Sequence, residues 1–453
     1  MIQFRTLFIL LVAVGWTLPT PVLGFTPDFK FCVATAAHQI EGGNFNSDWD
    51  RWEQTPGKIK QGHTARVATD SWNHLDEDVA HMKDLGIDLY RFSVEWAKIE
   101  PAPGQYRMDE IIRYRDLVRR LRAEGIESMV TLHHFTLPKW VADRGGWDWS
   151  GIPEAFENYV TRVTGVLGPD VSFWVTINEP MTVIAGGYVS DVFPPAKNNL
   201  GLIALPMANM LRAHARAYHA IHRALDADDF LPKVGFAHHL RNFDPARRSN
   251  PLDRYLARKF DEVFNWALPL ATLDGRLRWN VPFLTRSKVF IPEAIGTQDF
   301  FGLNYYSRDR LRLTPFKAPF IQRETSRGAD TTELGWELYP AGMSRLLYQI
   351  RSRFPGMEIH LTENGLADAD DTQRIPFIRE HLAVLEKHIR DGAPIRSYCH
   401  WTLNDNFEWA EGYTAHFGFY SMEPGTLRRI PRPSALWFGE MTRSVRQTGR
   451  IPQ

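Results

Sequence analysis

Ser172-Phe173-Trp174-Val175-Thr176-Ile177-Asn178-Glu179-Pro180 is an apolar run that stops at a carboxylate and a proline. A short run that is apolar at consecutive positions reads as a strand buried on both faces, as in a parallel sheet. Met357-Glu358-Ile359-His360-Leu361-Thr362-Glu363 has the same form and also ends on a Glu. The strand candidates along the chain are Phe31 to Ala36, Asp88 to Val94, Ser128 to Leu132, Phe173 to Ile177, Val234 to Ala237, Phe300 to Leu303, Ile359 to Thr362 and Ile395 to Trp401. Helical patterns fall between them at Leu75 to Leu85, Met108 to Glu124, Pro153 to Leu167, Leu205 to Leu225, Gly342 to Phe354 and Thr372 to Asp391. Strands alternating with helices predict an α/β fold, a parallel sheet closed into a single (β/α)8 TIM barrel with long βα loops. Gly86 and Gly125 each stand between a helix and a strand, the place of a helix C-cap. The stretch from Arg308 to Leu338 has no clear period and reads as a long loop on the active face.

The 453 residues could hold two or three domains, but no Ser/Gly linker or low-complexity stretch interrupts the alternation. One catalytic domain over residues 25–453 is therefore expected. Hydrophobic residues make up 44% and charged residues 23%, ordinary for a folded chain with a large core. With 53 basic against 53 acidic residues, no global field favours nucleic acid or an anionic membrane.

Residues 1–24 read as a secretory signal peptide: Arg5 precedes the apolar run Leu7 to Trp16, and Leu18-Pro19-Thr20-Pro21-Val22-Leu23-Gly24 follows. A bilayer span needs roughly 20 apolar residues. A secreted or periplasmic location is expected, with membrane association only if this segment stays uncleaved. Cys32 and Cys399 are the sole cysteines, on the first and eighth strands, which a closed barrel makes neighbours. A bridge is conceivable, but its geometry is demanding, and two buried thiols are the expectation.

Catalytic groups of a barrel stand at the C-terminal ends of its strands. There the chain carries Gln39, Arg91, His134, Asn178 with Glu179, Asn304 with Tyr306, Glu363, and Trp401 with Glu408 and Trp409. Two carboxylates in one pocket suit acetal cleavage, in which one protonates the leaving oxygen and the other acts on the opposite sugar face. The pairs His133-His134 and His238-His239 show no metal-ligand spacing, so neither a metal nor another cofactor is expected.

Gln39-Ile40-Glu41-Gly42, Tyr90-Arg91-Phe92-Ser93, Thr176-Ile177-Asn178-Glu179-Pro180, Asn304-Tyr305-Tyr306, Leu361-Thr362-Glu363-Asn364-Gly365 and Asp405-Asn406-Phe407-Glu408-Trp409-Ala410-Glu411-Gly412-Tyr413 together resemble glycoside hydrolase family 1, the β-glucosidase family, in the family's order. Glu95 and His400-Trp401-Thr402-Leu403-Asn404-Asp405 look nearer its archaeal-type β-glycosidase branch. The resemblance implies a retaining β-glycosidase acting on small neutral β-D-glycosides, with Glu179 as acid/base and Glu363 as nucleophile. It implies that Gln39, His134, Asn178, Glu408 and Trp409 bind sugar hydroxyls, that Trp401 lies beneath the sugar, and that Trp336 faces the aglycone. Arg91 and Tyr306 match positions that contact the nucleophile, and a cation with a hydroxyl donor keeps a carboxylate ionised, while charge on Glu363 raises Glu179. Asn304 supports the same cluster. A glycosyl-transferring enzyme on the same residues, with a lipid or sugar acceptor, is the alternative implied, and an inactive carbohydrate-binding homologue a further one.

Overall fold

A computed structural model describes residues 24–225, 231–282, 284–314, 320–423 and 425–452. Residues 1–23, and with them nearly all of the proposed signal peptide, lie outside the described residues.

Eight parallel strands close a barrel: Lys30–Ala34, Leu89–Ser93, Glu127–Thr131, Phe173–Asn178, Lys233–His239, Phe300–Asn304, Glu358–Asn364 and Ile395–Trp401. All eight fall where the apolar runs predict them. The first strand pairs with both the second and the eighth, with Ala34 opposite Trp401 and Arg91. Each strand is buried nearly end to end, which explains why the runs are apolar rather than alternating.

The outer helices show the complementary pattern. Met108–Ala123 buries Ile111, Tyr114, Leu117, Val118 and Leu121, three or four residues apart, and leaves its arginines outside. It ends at Gly125, where φ is 76°; the Gly125 N–H bonds to the Arg122 carbonyl and the Ile126 N–H to that of Leu121. Gly86 repeats the arrangement with Lys83 and Met82. These are Schellman caps, and the left-handed backbone they need favours glycine.

Two expectations are corrected. Cys32 and Cys399 form a disulfide rather than two thiols: barrel closure sets them opposite each other in register with Cα atoms 4.1 Å apart. The stretch after the sixth strand is not a plain loop. Arg308–Leu313 and Ile321–Glu324 pair as antiparallel strands, and the former also pairs in parallel with Asn242–Pro245, making a three-stranded sheet beside the barrel mouth. Its alternation of charged and apolar residues is short and half-exposed, so no buried run marks it. Among the described residues no helix is long and apolar enough to cross a membrane.

Candidate active site

The C-terminal ends of the strands converge on a cavity of about 390 Å³ lined by His134, Asn178, Glu179, Tyr306, Trp336, Glu363, Trp401, Glu408 and Trp409, among others. Three residues of its wall, Phe135, Glu179 and Trp409, have left-handed backbones with φ of 73°, 43° and 50°. Non-glycine residues seldom adopt this conformation, and its clustering here fits a functional site.

Glu363 is the last residue but one of the seventh strand, where the ladder shifts register between Leu361 and Glu363. Its Oε1 accepts from the Arg91 guanidinium at 2.5 Å and its Oε2 from the Tyr306 hydroxyl at 2.6 Å. Arg91, 1% exposed, also donates to the Thr362 carbonyl at 3.0 Å and to Asn178 Oδ1 at 2.6 Å. Buried charge is tolerable here because the guanidinium is hydrogen-bonded on several sides.

Glu179 follows the fourth strand and precedes the helix Pro180–Ile184. Asn304 Nδ2 donates to its Oε1 at 2.7 Å, and His239 Nδ1 stands 3.2 Å from its Oε2. Asn304 also donates to Asn178 Oδ1 at 3.1 Å and accepts from Thr362 Oγ1 at 2.6 Å, so one side-chain network joins both carboxylates. Asn178 Nδ2 donates to His134 Nε2 at 3.1 Å. Burial, reinforced by Arg91, keeps His134 well below the ordinary histidine range, so the ring is a neutral acceptor there.

At the inner end, Glu408 Oε2 accepts from Gln39 Nε2 at 3.1 Å and faces Trp401 Nε1 at 3.4 Å. Gln39 does not line the cavity; its amide N–H also reaches the Phe407 carbonyl, and its Oε1 is buried with no hydrogen-bond partner among the described residues. Arg91 and Asn304 likewise stand behind the wall, as supports. Rings of Trp401 and Trp409 lie nearly parallel to His134 at 5.7 and 5.9 Å. Trp336 lines the outer part, edge-on to Tyr306 at 5.7 Å.

The charge order of the cavity reverses the expectation. Burial, then the charge of Glu179, push the Glu363 carboxyl up to about 7 against the pull of Arg91 and Tyr306. Burial alone would also raise Glu179, but the charge and hydrogen bond of His239, with Asn304 and Thr182, outweigh it and bring Glu179 to about 2. Glu408 is pushed up to about 8 by burial and the two neighbouring carboxylates. Three acids share one pocket, and Glu179 is set apart by its contacts with His239 and Asn304. The sequence reading missed this partner. His239 closes the fifth strand, the one strand end from which no candidate was drawn, and the barrel rule applied to it would have found it. His238 and His133 are buried away from the cavity, both brought down to about 3 by burial. Among the described residues no group of three or more His, Cys, Asp or Glu is arranged to hold a metal ion.

Residues 23–447 match the family model described as Glycosyl hydrolase family 1. Beta-glucosidase A of Thermotoga maritima is 31% identical over 448 residues, covering 93% of this chain and 98% of the relative. The solved β-glycosidase of Pyrococcus horikoshii superposes with a TM-score of 0.85 at 32% identity, covering 95% of this chain and 96% of that one. A β-glucosidase from Thermotoga maritima in complex with glucoimidazole superposes with a TM-score of 0.85 at 29% identity, covering 95% and 100%. The chain belongs to glycosyl hydrolase family 1 and is a glycoside hydrolase.

Proposed function

We propose that this enzyme is a retaining, exo-acting β-glycosidase of neutral gluco- or galacto-type sugars, with Glu363 as nucleophile and Glu179 as acid/base. The observation that carries the roles is the difference in partners around two carboxylates that share one cavity: Arg91 and Tyr306 hold both oxygens of Glu363, while Glu179 sits against His239 and Asn304.

A Glu363 oxygen attacks the anomeric carbon as the Glu179–His239 pair delivers its proton to the glycosidic oxygen, and the aglycone leaves as an alcohol. The sugar is then held on Glu363 as an ester. Water, losing its proton to Glu179, attacks the same carbon, frees Glu363 and gives the β-hemiacetal. Arg91 and Tyr306 stabilise the carboxylate that attacks and later departs. Trp401 and Trp409 offer flat faces for the apolar side of a sugar, and Glu408, with no cation bonded to it among the described residues, suits the hydroxyls of a neutral sugar rather than a phosphate. The complex of a relative, a β-glucosidase, with glucoimidazole supports a small glycoside as occupant.

The test is a 2-deoxy-2-fluoro β-glycoside with an activated leaving group. The enzyme should burst and then stall, and mass spectrometry of its peptides should place the sugar on Glu363. A label on another carboxylate, or first-formed product of inverted configuration, overturns the assignment.

Export with cleavage near Gly24 belongs to the same proposal. The charged and apolar pattern of residues 1–24 supports it, and so does the Cys32–Cys399 bridge, since disulfides persist in oxidising compartments. Phe25, 2% exposed and bonded through its N–H to the Gly449 carbonyl at 3.0 Å, is already part of the fold. N-terminal sequencing of the protein from cell fractions should find a chain beginning near Phe25 outside the cytoplasm. A chain retaining Met1 in the cytoplasm would reject it.

A further inference from the structure

Beyond Trp336 the cavity wall changes character. Arg241 and Arg323 line it, and the lining also includes the apolar side chains of Phe264 and Leu334. Arg241 follows the fifth strand; its backbone N–H bonds to Asn265 Oδ1 at 3.0 Å and its carbonyl accepts from Asn265 Nδ2 at 2.7 Å, so its place is held from both sides. The residue is 9% exposed. Its guanidinium makes no hydrogen bond of good geometry among the described residues, and its Nε is buried without a partner. The nearest acid is Asp309, whose Oδ2 lies 3.2 Å from an Arg241 terminal nitrogen. The same carboxylate lies 3.9 Å from Arg323 Nε, and no hydrogen bond to its Oδ2 is made.

Two guanidinium groups therefore share one carboxylate, leaving a surplus of one positive charge. Of the other charges nearby, Arg310 has its donors taken up by Ser326 and the Ala246 carbonyl. Arg308 is paired with Glu337 and with Asp244, and Asp244 also takes Arg345. Glu411 on the wall pairs with Lys60 at 3.2 Å. A nearly buried guanidinium with open donors is costly unless something accepts from it, and its fork matches a planar carboxylate. The Arg241 guanidinium carbon stands 6.0 Å from the Trp336 ring, which is itself edge-on to Tyr306, so it lies one ring outward from the nucleophile's hydroxyl partner. That is aglycone territory if the cleaved sugar sits over Trp401.

We infer that Arg241, assisted by Arg323, forms an aglycone subsite for a carboxylate borne on a flat, apolar leaving group, so that the preferred substrates are β-glycosides of aromatic or similar apolar acids. The inference rests on the glycosidase reading and adds the charge of the leaving group to it. No new chemical step is needed. The carboxylate is held while the glycosidic oxygen is protonated, and it departs with the aglycone.

The experiment compares two aryl β-glycosides of one sugar, 4-(2-carboxyethyl)phenyl and its primary carboxamide. The ethylene spacer keeps the two phenols nearly equal as leaving groups, so a difference reports binding of the charge. At low ionic strength the acid should show kcat/KM roughly tenfold above the amide, from a lower KM. The ratio should shrink with added salt. Arg241→Met and Arg323→Met should each reduce the ratio, and the double variant should bring it to about one. Arg323 is 64% exposed in its side chain, so its variant tests the idea even if Arg241→Met does not fold. A wild-type ratio at or below one, or a ratio kept in the Arg323→Met and double variants, overturns the subsite. Cleavage of the amide with retention leaves the glycosidase reading standing when the subsite fails; absence of cleavage of both substrates and of 2-fluoro labelling on Glu363 rejects both.

Discussion

Glu179 and Glu363 are the same side chain, buried at the ends of two strands of one barrel, and the protein treats them differently. Glu363 is gripped through both oxygens, by a cation from the second strand and a hydroxyl following the sixth. Glu179 is touched by an amide from the sixth strand and an imidazole from the fifth. A strand end in a barrel makes a carboxylate a candidate; what the neighbouring strands present to it decides whether it attacks or passes a proton. The variants below separate the two environments, from the largest effect to the smallest.

Glu363→Gln should lower kcat/KM for every glycoside by about five orders of magnitude, whatever the leaving group, because an amide cannot form the glycosyl ester. Steady-state rates on alkyl and dinitrophenyl glycosides measure it. Retention of substantial turnover on either class would show that the gripped carboxylate is not the nucleophile.

Glu179→Gln should split the substrates instead. Alkyl glycosides need a proton on the leaving oxygen and should lose roughly a thousandfold, whereas dinitrophenyl glycosides leave as stable anions and should still load Glu363. Stopped-flow should record a phenolate burst followed by slow turnover, with azide restoring the steady rate. Equal losses on both classes, without burst or rescue, would erase the contrast between the two carboxylates.

Much of this contrast is legible in the amino-acid sequence, and the illegible part has a physical pattern. Barrel strands announce themselves because burial on both faces makes each a local apolar run, and the residues ending Phe173–Asn178 and Glu358–Asn364 inherit a position from that run. Arg91, Tyr306 and Glu408 could be named because motifs around them match a family. His239 escaped since its strand end carries a histidine pair that was weighed only as a metal ligand. Arg241 and Asp309 are illegible for a deeper reason: they meet through the pairing of the strands Asn242–Pro245 and Arg308–Leu313, and no local period encodes a pairing across so many residues. The Cys32–Cys399 bridge is hidden likewise, because barrel closure implies that the first and eighth strands are adjacent but does not give their register.

Arg91→Met tests the grip on Glu363 through pH. The nucleophile works ionised, so activity is present above its pKa and falls as pH drops through it. With the carboxyl at about 7, the acidic limb of kcat/KM should lie near neutrality in the wild type. Removing the cation raises the carboxyl further, and the limb should move up by about 1–3 pH units in a variant that still melts cooperatively. An unmoved limb would mean that Arg91 only supports the fold.

His239→Asn addresses the partner that sequence reading overlooked. Glu179 lies at about 2 because His239, with Asn304 and Thr182, overcomes a burial that alone would raise it. Without the imidazole, burial and the charge of Glu363 act on Glu179 with less opposition, so its carboxyl must titrate higher. Carbon-13 NMR of the glutamate carboxyls, assigned with Glu179→Gln, should show that upward move. The variant keeps a proton donor, so its loss on alkyl glycosides should be modest, about tenfold, with dinitrophenyl glycosides nearly untouched because their departure needs no proton. That pattern separates proton handling from shape: a ring that merely filled space would, when replaced, slow both classes alike and leave Glu179 titrating near 2. Either result would remove His239 from the proton path and leave Glu179 to work alone.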